Sequence, residues 1–302
     1  MTILLTGCNG QVGWELNRSL APLGQILACD RTAADLTRPA ALRSLVERVR
    51  PDVIVNAGAY TAVDKAESDE AAAMAVNGDA VAVLSQAARN CGALFVHYST
   101  DYVFSGARQG AYVEDDATGP LNAYGRSKLA GERAVQSAGG DWLVFRTSWV
   151  YAARGRNFLR TMLRLAAERE TLSVVSDQRG APTSARMIAG ITAHAIRQAL
   201  AERSAGTFES GIFHLTAAGA TSWHEFAARI IDVAREKVPE HVKVREVNAI
   251  ATSDYPTPAS RPLNGVLDNT KLERRFGVSR LSWEAGMRLV LEELLSRRDA
   301  TA

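Results

Sequence analysis

The chain has 302 residues, 47% of them hydrophobic and 23% charged, a balance that excludes a disordered polymer and leaves room for a large domain beside a smaller companion. Its 35 basic and 33 acidic residues nearly cancel at +2 and form no basic block, so nucleic acid is not an expected partner. Three cysteines without zinc or redox spacing (Cys8, Cys29, Cys91), an opening without signal-peptide character and no apolar run near the roughly 18 residues of a membrane span point to reduced thiols, no membrane partner and a cytoplasmic location.

Short apolar runs alternate with helical patterns through the first half, which predicts an α/β fold with a doubly wound parallel (Rossmann) sheet. Strands are expected at 3–6, 26–30, 53–56, 94–99 and 143–147. The loop GCNGQVG, with Gly7, Gly10 and Gly13, follows the first strand and opens a helix. Glycines there let the chain turn tightly and bring backbone amides, at a helix N-terminus, against a pyrophosphate. A tight turn alone would also use glycine, but Asp30 ends the second strand near the spacing at which an acid accepts ribose hydroxyls. Arg31 beside it suits a ribose phosphate, so NADH and NADPH both remain open.

Leu42, Leu45, Val46 and Val49 recur at helical spacing behind Thr37, the capping candidate, and Pro51 stops that helix. The alanine-rich stretch 70–90 reads as one further helix. Residues 100–121 carry no periodicity and read as a long loop, of a kind that is often functional. Thr100 stands where the fourth strand, in HYSTDYVF, runs out, and ligands of open parallel sheets collect at such ends. Tyr124 and Lys128, four residues apart in AYGRSKLAGE, share one helical face. An ammonium there is expected to stabilise a phenolate and lower the tyrosine pKa, so that the tyrosine gives a proton to a developing alkoxide held by Thr100. His97 reads as a packed strand residue rather than a ligand or base.

After residue 147 the alternation loosens. Helices are predicted at 158–168, 187–200, 223–236 and 283–295, separated by Gly and Pro punctuation at 180–182 and 256–262. A dinucleotide-binding domain is expected over 1–148 and a mainly substrate-binding, mixed α/β lobe over 149–302. Segments near 187–200 and 212–215 are candidates to return to the sheet.

Taken together, GCNGQVG, VNAGAYTAVDKAE, HYSTDYVF, YGRSKLAGE, FRTSWVY and DQRGAPT resemble the dTDP-4-dehydrorhamnose reductase family of extended short-chain dehydrogenase/reductases. The resemblance runs from the first strand through YPTPASRP to the last helix. It implies a nucleotide-sugar oxidoreductase that takes the 4-keto group of dTDP-4-dehydro-L-rhamnose to dTDP-L-rhamnose, a polysaccharide precursor, with NADPH or NADH. Tyr124 is then the catalytic acid, Lys128 its modulator and ribose anchor, and Thr100 the hydroxyl partner. The cofactor positions carried over are Gly10, Gln11, Val12, Asp30, Asp35, Leu36, Ala59, Tyr60, Thr61 and Tyr98, and the sugar-nucleotide positions are Asp101 and Trp149. Leu36 stands where some relatives have an aromatic, which replaces adenine stacking with an apolar contact. Arg261, in PASRP, is a candidate partner of the substrate diphosphate.

Some members of that family are thought to dimerise through magnesium held by acids. Glu15, Glu292 and Glu293 are present here, but Arg186 stands at the middle position, bringing positive charge where a hard cation needs oxygen. No metal is therefore expected, and a homodimer paired through Arg186 is the alternative. The rival functions are a sugar-nucleotide epimerase or dehydratase, which would keep its cofactor, and a catalytically silent regulatory subunit. A lone acid, Asp101, beside Thr100 disfavours dehydration, and intact Thr100, Tyr124 and Lys128 disfavour silence.

Overall fold

Residues 1–299 are described by a computed structural model. Its strands are β1 (Thr2–Thr6), β2 (Gln25–Cys29), β3 (Val53–Asn56), β4 (Leu94–Thr100), β5 (Trp142–Thr147), β6 (Val150–Tyr151), β7 (Thr171–Val175), β8 (Arg179–Gly180), β9 (Thr183–Ser184), β10 (Gly211–His214), β11 (Thr221–Ser222) and β12 (Glu246–Ile250). The helices are α1 (Gln11–Ser19), α2 (Pro39–Val49), α3 (Val63–Ser68), α4 (Glu70–Met74), α5 (Ala80–Cys91), α6 (Ala123–Ala138), α7 (Phe158–Glu168), α8 (Ala185–Ala205), α9 (Trp223–Lys237), α10 (Thr270–Phe276) and α11 (Trp283–Asp299).

Six parallel strands form the central sheet in the order β10-β5-β4-β3-β1-β2. Successive strand residues point to opposite faces, and this sorts the core. Ile3, Leu5, Val53, Val55, Val96 and Phe145 pack with Leu16 of α1 and Ile188 and Ile196 of α8. Leu4, Ile54, Phe95 and Val144 pack with Leu42 and Val46 of α2 and Val81 and Leu84 of α5. β3 and β4 are buried along their whole length, as central strands covered on both faces must be. A second core gathers Tyr151, Leu159, Met162, Phe226, Ile230, Met287 and Leu291, beside the parallel pair of β7 and β12.

Three local readings of the sequence are corrected here. The stretch 70–90 is not one helix, because a π-helical turn at Ala75–Asp79 separates α4 from α5. That widened turn directs Asn77 inward, where it is 1% exposed and fully hydrogen-bonded, in keeping with the habit of π turns to sit at functional sites. Thr37 does not cap α2: its N–H and hydroxyl both donate to Asp35 Oδ1, at 2.9 and 2.8 Å, and Arg38 takes the cap position before Pro39. Proline in a first helical turn sacrifices no hydrogen bond, so the helix starts there without a side-chain cap. Asp30 lies just beyond β2 because its Oδ1 accepts from the N–H groups of Thr32 and Ala33, at 2.9 and 3.0 Å, turning the chain out of the sheet. Among the described residues no helix is long and apolar enough to cross a membrane, and all three cysteines are free.

Candidate active site

Strand order reverses between β1 and β3, so their C-terminal ends open a crevice, the place where open parallel sheets take ligands. A cavity of about 830 Å³ occupies it. Gly7 has φ +69° and lies so close to β3's exit that a Cβ would meet Gly58 N at 2.5 Å. At Gly13 a Cβ would fall 2.1 Å from Gly7 O, so the loop can fold back on α1 only with glycine there. Gly10 caps α1 without a side-chain bond, which leaves the first amides of the helix for an anion.

The cavity wall brings together Gly7, Gly10, Gln11, Val12, Asp30, Arg31, Asp35, Leu36, Ala59, Tyr60, Thr61, Tyr98, Tyr124 and Lys128. Of the expected cofactor positions only Gly13 is off the wall, beneath the loop. The Tyr98 hydroxyl is committed elsewhere, donating to Thr192 Oγ1 at 2.8 Å.

Asn122 starts α6 by accepting from Gly125 N at 2.8 Å, and its amide donates to Ser260 O at 2.8 Å. The next turn presents Tyr124 and Lys128 to the end of β4. Thr100 stands beside Tyr124, and its Oγ1 donates to Asp101 Oδ1 at 3.0 Å and accepts from Tyr102 N at 3.2 Å. Lys128 Nζ donates to Tyr98 O at 2.5 Å and stands 3.5 Å from His97 Nε2. Burial pushes the Lys128 pKa down to about 8, partly opposed by Glu132.

This corrects the expected effect of the ammonium on the phenol. Burial of its hydroxyl pushes the Tyr124 pKa upward, with only the nearby Thr100 hydroxyl acting the other way. Lys128 donates to the β4 backbone at Tyr98 O and makes no hydrogen bond to the phenol, so Tyr124 is held as a neutral acid. His97 is packed, stacked on Phe95 and kept neutral by burial and by the Lys128 charge, and it also flanks that amine.

Thr100, Asp101, Trp149 and Arg261 are not on the cavity wall, although their neighbours Ser99, Thr147 and Val150 are. Asp101 is 2% exposed; burial raises its pKa to about 7, and its Oδ2 has no hydrogen-bond partner. Trp149, after β5, has φ +46°. Arg261 is drawn to Asp64 Oδ1 at 2.8 Å and lies 5.9 Å from the Tyr102 ring, so its guanidinium is already engaged.

Sequence reasoning missed Asn77, whose side chain accepts from Tyr60 N at 2.9 Å and donates to Tyr60 O and Ser127 Oγ, both at 3.0 Å. It ties the cavity wall to α6. The Asn77–Gly78 pair inside a helical pattern was the available signal, since such dipeptides mark breaks. Lys65, Gly155 and Arg156 also line the cavity. The last two arrive on the loop before α7, which Asn157 fastens by donating to Gln11 Oε1 at 2.8 Å. No local pattern announces that long-range contact.

Arg186 pairs within the chain, with Glu293 at 2.5 Å and Glu15 at 3.6 Å. Among the described residues no three His, Cys, Asp or Glu side chains are grouped to hold a metal.

The family model described as RmlD substrate binding domain matches residues 1–296. The dTDP-4-dehydrorhamnose reductase of Burkholderia thailandensis is 58% identical over 299 residues, covering 98% of this chain and 100% of that protein. Its counterpart from Salmonella typhimurium is 50% identical, covering 98% of this chain and 99% of its own length. Among solved structures, the dTDP-4-dehydrorhamnose reductase of Bacillus anthracis in complex with NADP is 33% identical with a TM-score of 0.85, covering 97% of this chain and 99% of that one.

Proposed function

The chain belongs to the RmlD family of dTDP-4-dehydrorhamnose reductases, and we propose that it uses NAD(P)H to reduce the 4-keto group of dTDP-4-dehydro-L-rhamnose to dTDP-L-rhamnose. The observation that carries this reading is the meeting of Tyr124 and Lys128, the latter anchored to Tyr98 O, on the wall of the same cavity that the glycine loop, Asp30 and Arg31 line.

The residues present fit a nicotinamide dinucleotide. The glycine loop and the uncapped α1 N-terminus suit the pyrophosphate, and Asp30 keeps Oδ2 for a ribose hydroxyl after committing Oδ1 to its turn. Arg31 on the same wall suits the additional phosphate of NADPH. When bound, the nicotinamide supplies hydride to the carbonyl carbon of the sugar.

The chain's own work is to hold the carbonyl oxygen and protonate it. Thr100 and Tyr124 converge on that oxygen, and Tyr124, kept neutral by burial, gives the proton to the developing alkoxide. Such a positioned acid typically contributes roughly 100- to 10,000-fold. Lys128, held by Tyr98 O, donates to the ribose and supports the phenolate that remains. Asp101, with Oδ2 lacking a partner, suits a sugar hydroxyl, and the Trp149 indole N–H suits a substrate oxygen. The free thiols suit a cytoplasmic enzyme, and the assembly we propose is a homodimer formed without magnesium.

The test is a steady-state assay of dTDP-, GDP- and UDP-linked 4-keto sugars with NADPH and NADH. Stoichiometric loss of reduced nicotinamide with the dTDP sugar is expected; turnover without net consumption would mark an epimerase instead.

A further inference from the structure

Trp149 occupies a backbone conformation that side chains other than glycine seldom adopt, with φ +46°. Something must over-determine it. Its indole lies on that of Trp223, with ring centroids 3.5 Å apart and planes 7° from parallel. Gly180 presses against the same ring so closely that a Cβ would lie 2.5 Å from Trp149 Cε2 and 2.7 Å from Nε1. The indole is thus pinned between a stacked partner and a residue that has no side chain.

Trp223 is itself immobilised. It is the first residue of α9, behind Ser222, which forms a reciprocal capping box with Glu225. Its Nε1 donates to Gln178 Oε1 at 3.2 Å, and Gln178 donates in turn to Thr252 Oγ1 at 3.1 Å. Phe158 of α7 packs on it at 4.6 Å between centroids. Trp223 therefore transmits the rigidity of the second core to Trp149, two residues beyond the end of β5, where Thr147 and Val150 line the cavity.

We infer that Trp223 is a positioning residue for the sugar nucleotide, acting through Trp149, with Gly180 as the stop on the other contact of the ring. The inference rests on the reading of Trp149 as a substrate contact. Aligning one indole N–H with a substrate oxygen needs a fixed ring, and the stack supplies this without touching the dinucleotide cavity. Loss of the stack should therefore act on the sugar nucleotide and spare the cofactor.

The experiment compares Trp149→Ala, Trp223→Ala, Trp223→Phe and Gly180→Ala in steady-state kinetics with both substrates varied, and checks folding by thermal melting. Misplacement of a binding group by about 1 Å can cost up to about 100-fold. The expected result is a rise of about 10-fold or more in KM for the sugar nucleotide with Trp223→Ala and with Gly180→Ala, an unchanged KM for NADPH, and substantial recovery with Trp223→Phe. Should Trp223→Ala fail to fold, Gly180→Ala and Trp223→Phe decide the matter. A raised KM in Trp149→Ala alone, with the Trp223 and Gly180 variants like wild type, would overturn the inference and leave the reading of Trp149 intact. An unchanged KM in Trp149→Ala would overturn that reading as well.

Discussion

Lys128 donates from Nζ to the backbone carbonyl of Tyr98 at 2.5 Å, so the amine is anchored to β4 rather than to the phenol one turn earlier on its own helix. Its surroundings are His97 on β4, kept neutral, and Glu132 on α6, already committed to Arg146.

That arrangement predicts the pH dependence. Burial lowers the Lys128 pKa to about 8, while Tyr124 is pushed upward. The ammonium is the form that binds ribose, so kcat/KM for the cofactor should hold below about pH 8 and fall by about tenfold per unit above it. In Lys128→Arg, where the charge persists, the remaining activity should lose that alkaline limb. A limb unmoved in the arginine variant would assign it to another group.

The parts of this site that follow local rules could be read from the chain alone. The apolar runs of β3 and β4, the glycine loop and the four-residue spacing of Tyr124 and Lys128 each depend on neighbours in sequence. The direction of the Lys128 amine, the capture of Arg261 by Asp64 and the approach of Arg156 depend on distant segments meeting. Asn77 was hidden for a different reason: a π turn differs from an α-helix by one residue of hydrogen bonding, which apolar periodicity barely registers. Thr37 failed as a cap because Asp35, two residues earlier, competed for its N–H and hydroxyl.

Stability should depend on the pair that locks α6 to β5. Arg146 makes a bidentate contact to Glu132, at 2.9 and 2.7 Å, with side chains 4% and 1% exposed. Removing one partner strands a buried charge, so Glu132→Ala should lose about 3–5 kcal/mol in urea denaturation. A loss below about 1 kcal/mol would mean that water readily takes over the guanidinium.

Cofactor preference should turn on Asp30. Asp30→Ser keeps an oxygen for the N–H groups of Thr32 and Ala33 while removing the charge that repels a ribose phosphate. The NADPH to NADH ratio of kcat/KM should rise by about tenfold, equivalent to about 1.4 kcal/mol. An unchanged ratio would remove Asp30 from the ribose.

Assembly should be indifferent to magnesium. Arg186 holds Glu15 and Glu293 with its own guanidinium, doing by charge what a cation would otherwise do there. Light scattering should give the same mass with magnesium and with EDTA. Dissociation on chelation, reversed by magnesium, would contradict this.

The central claim is net hydride transfer to a sugar carbon with Tyr124 as the acid. Wild type and Tyr124→Phe should be given dTDP-4-dehydro-L-rhamnose with NADPH deuterated on the transferred position, and the sugar product examined by NMR. The account predicts one deuterium at C4 of dTDP-L-rhamnose for each NADPH consumed by wild type, with turnover in Tyr124→Phe lower by about 100-fold or more and cofactor binding retained. Deuterium absent from C4, or near-normal turnover without the phenol, would contradict it.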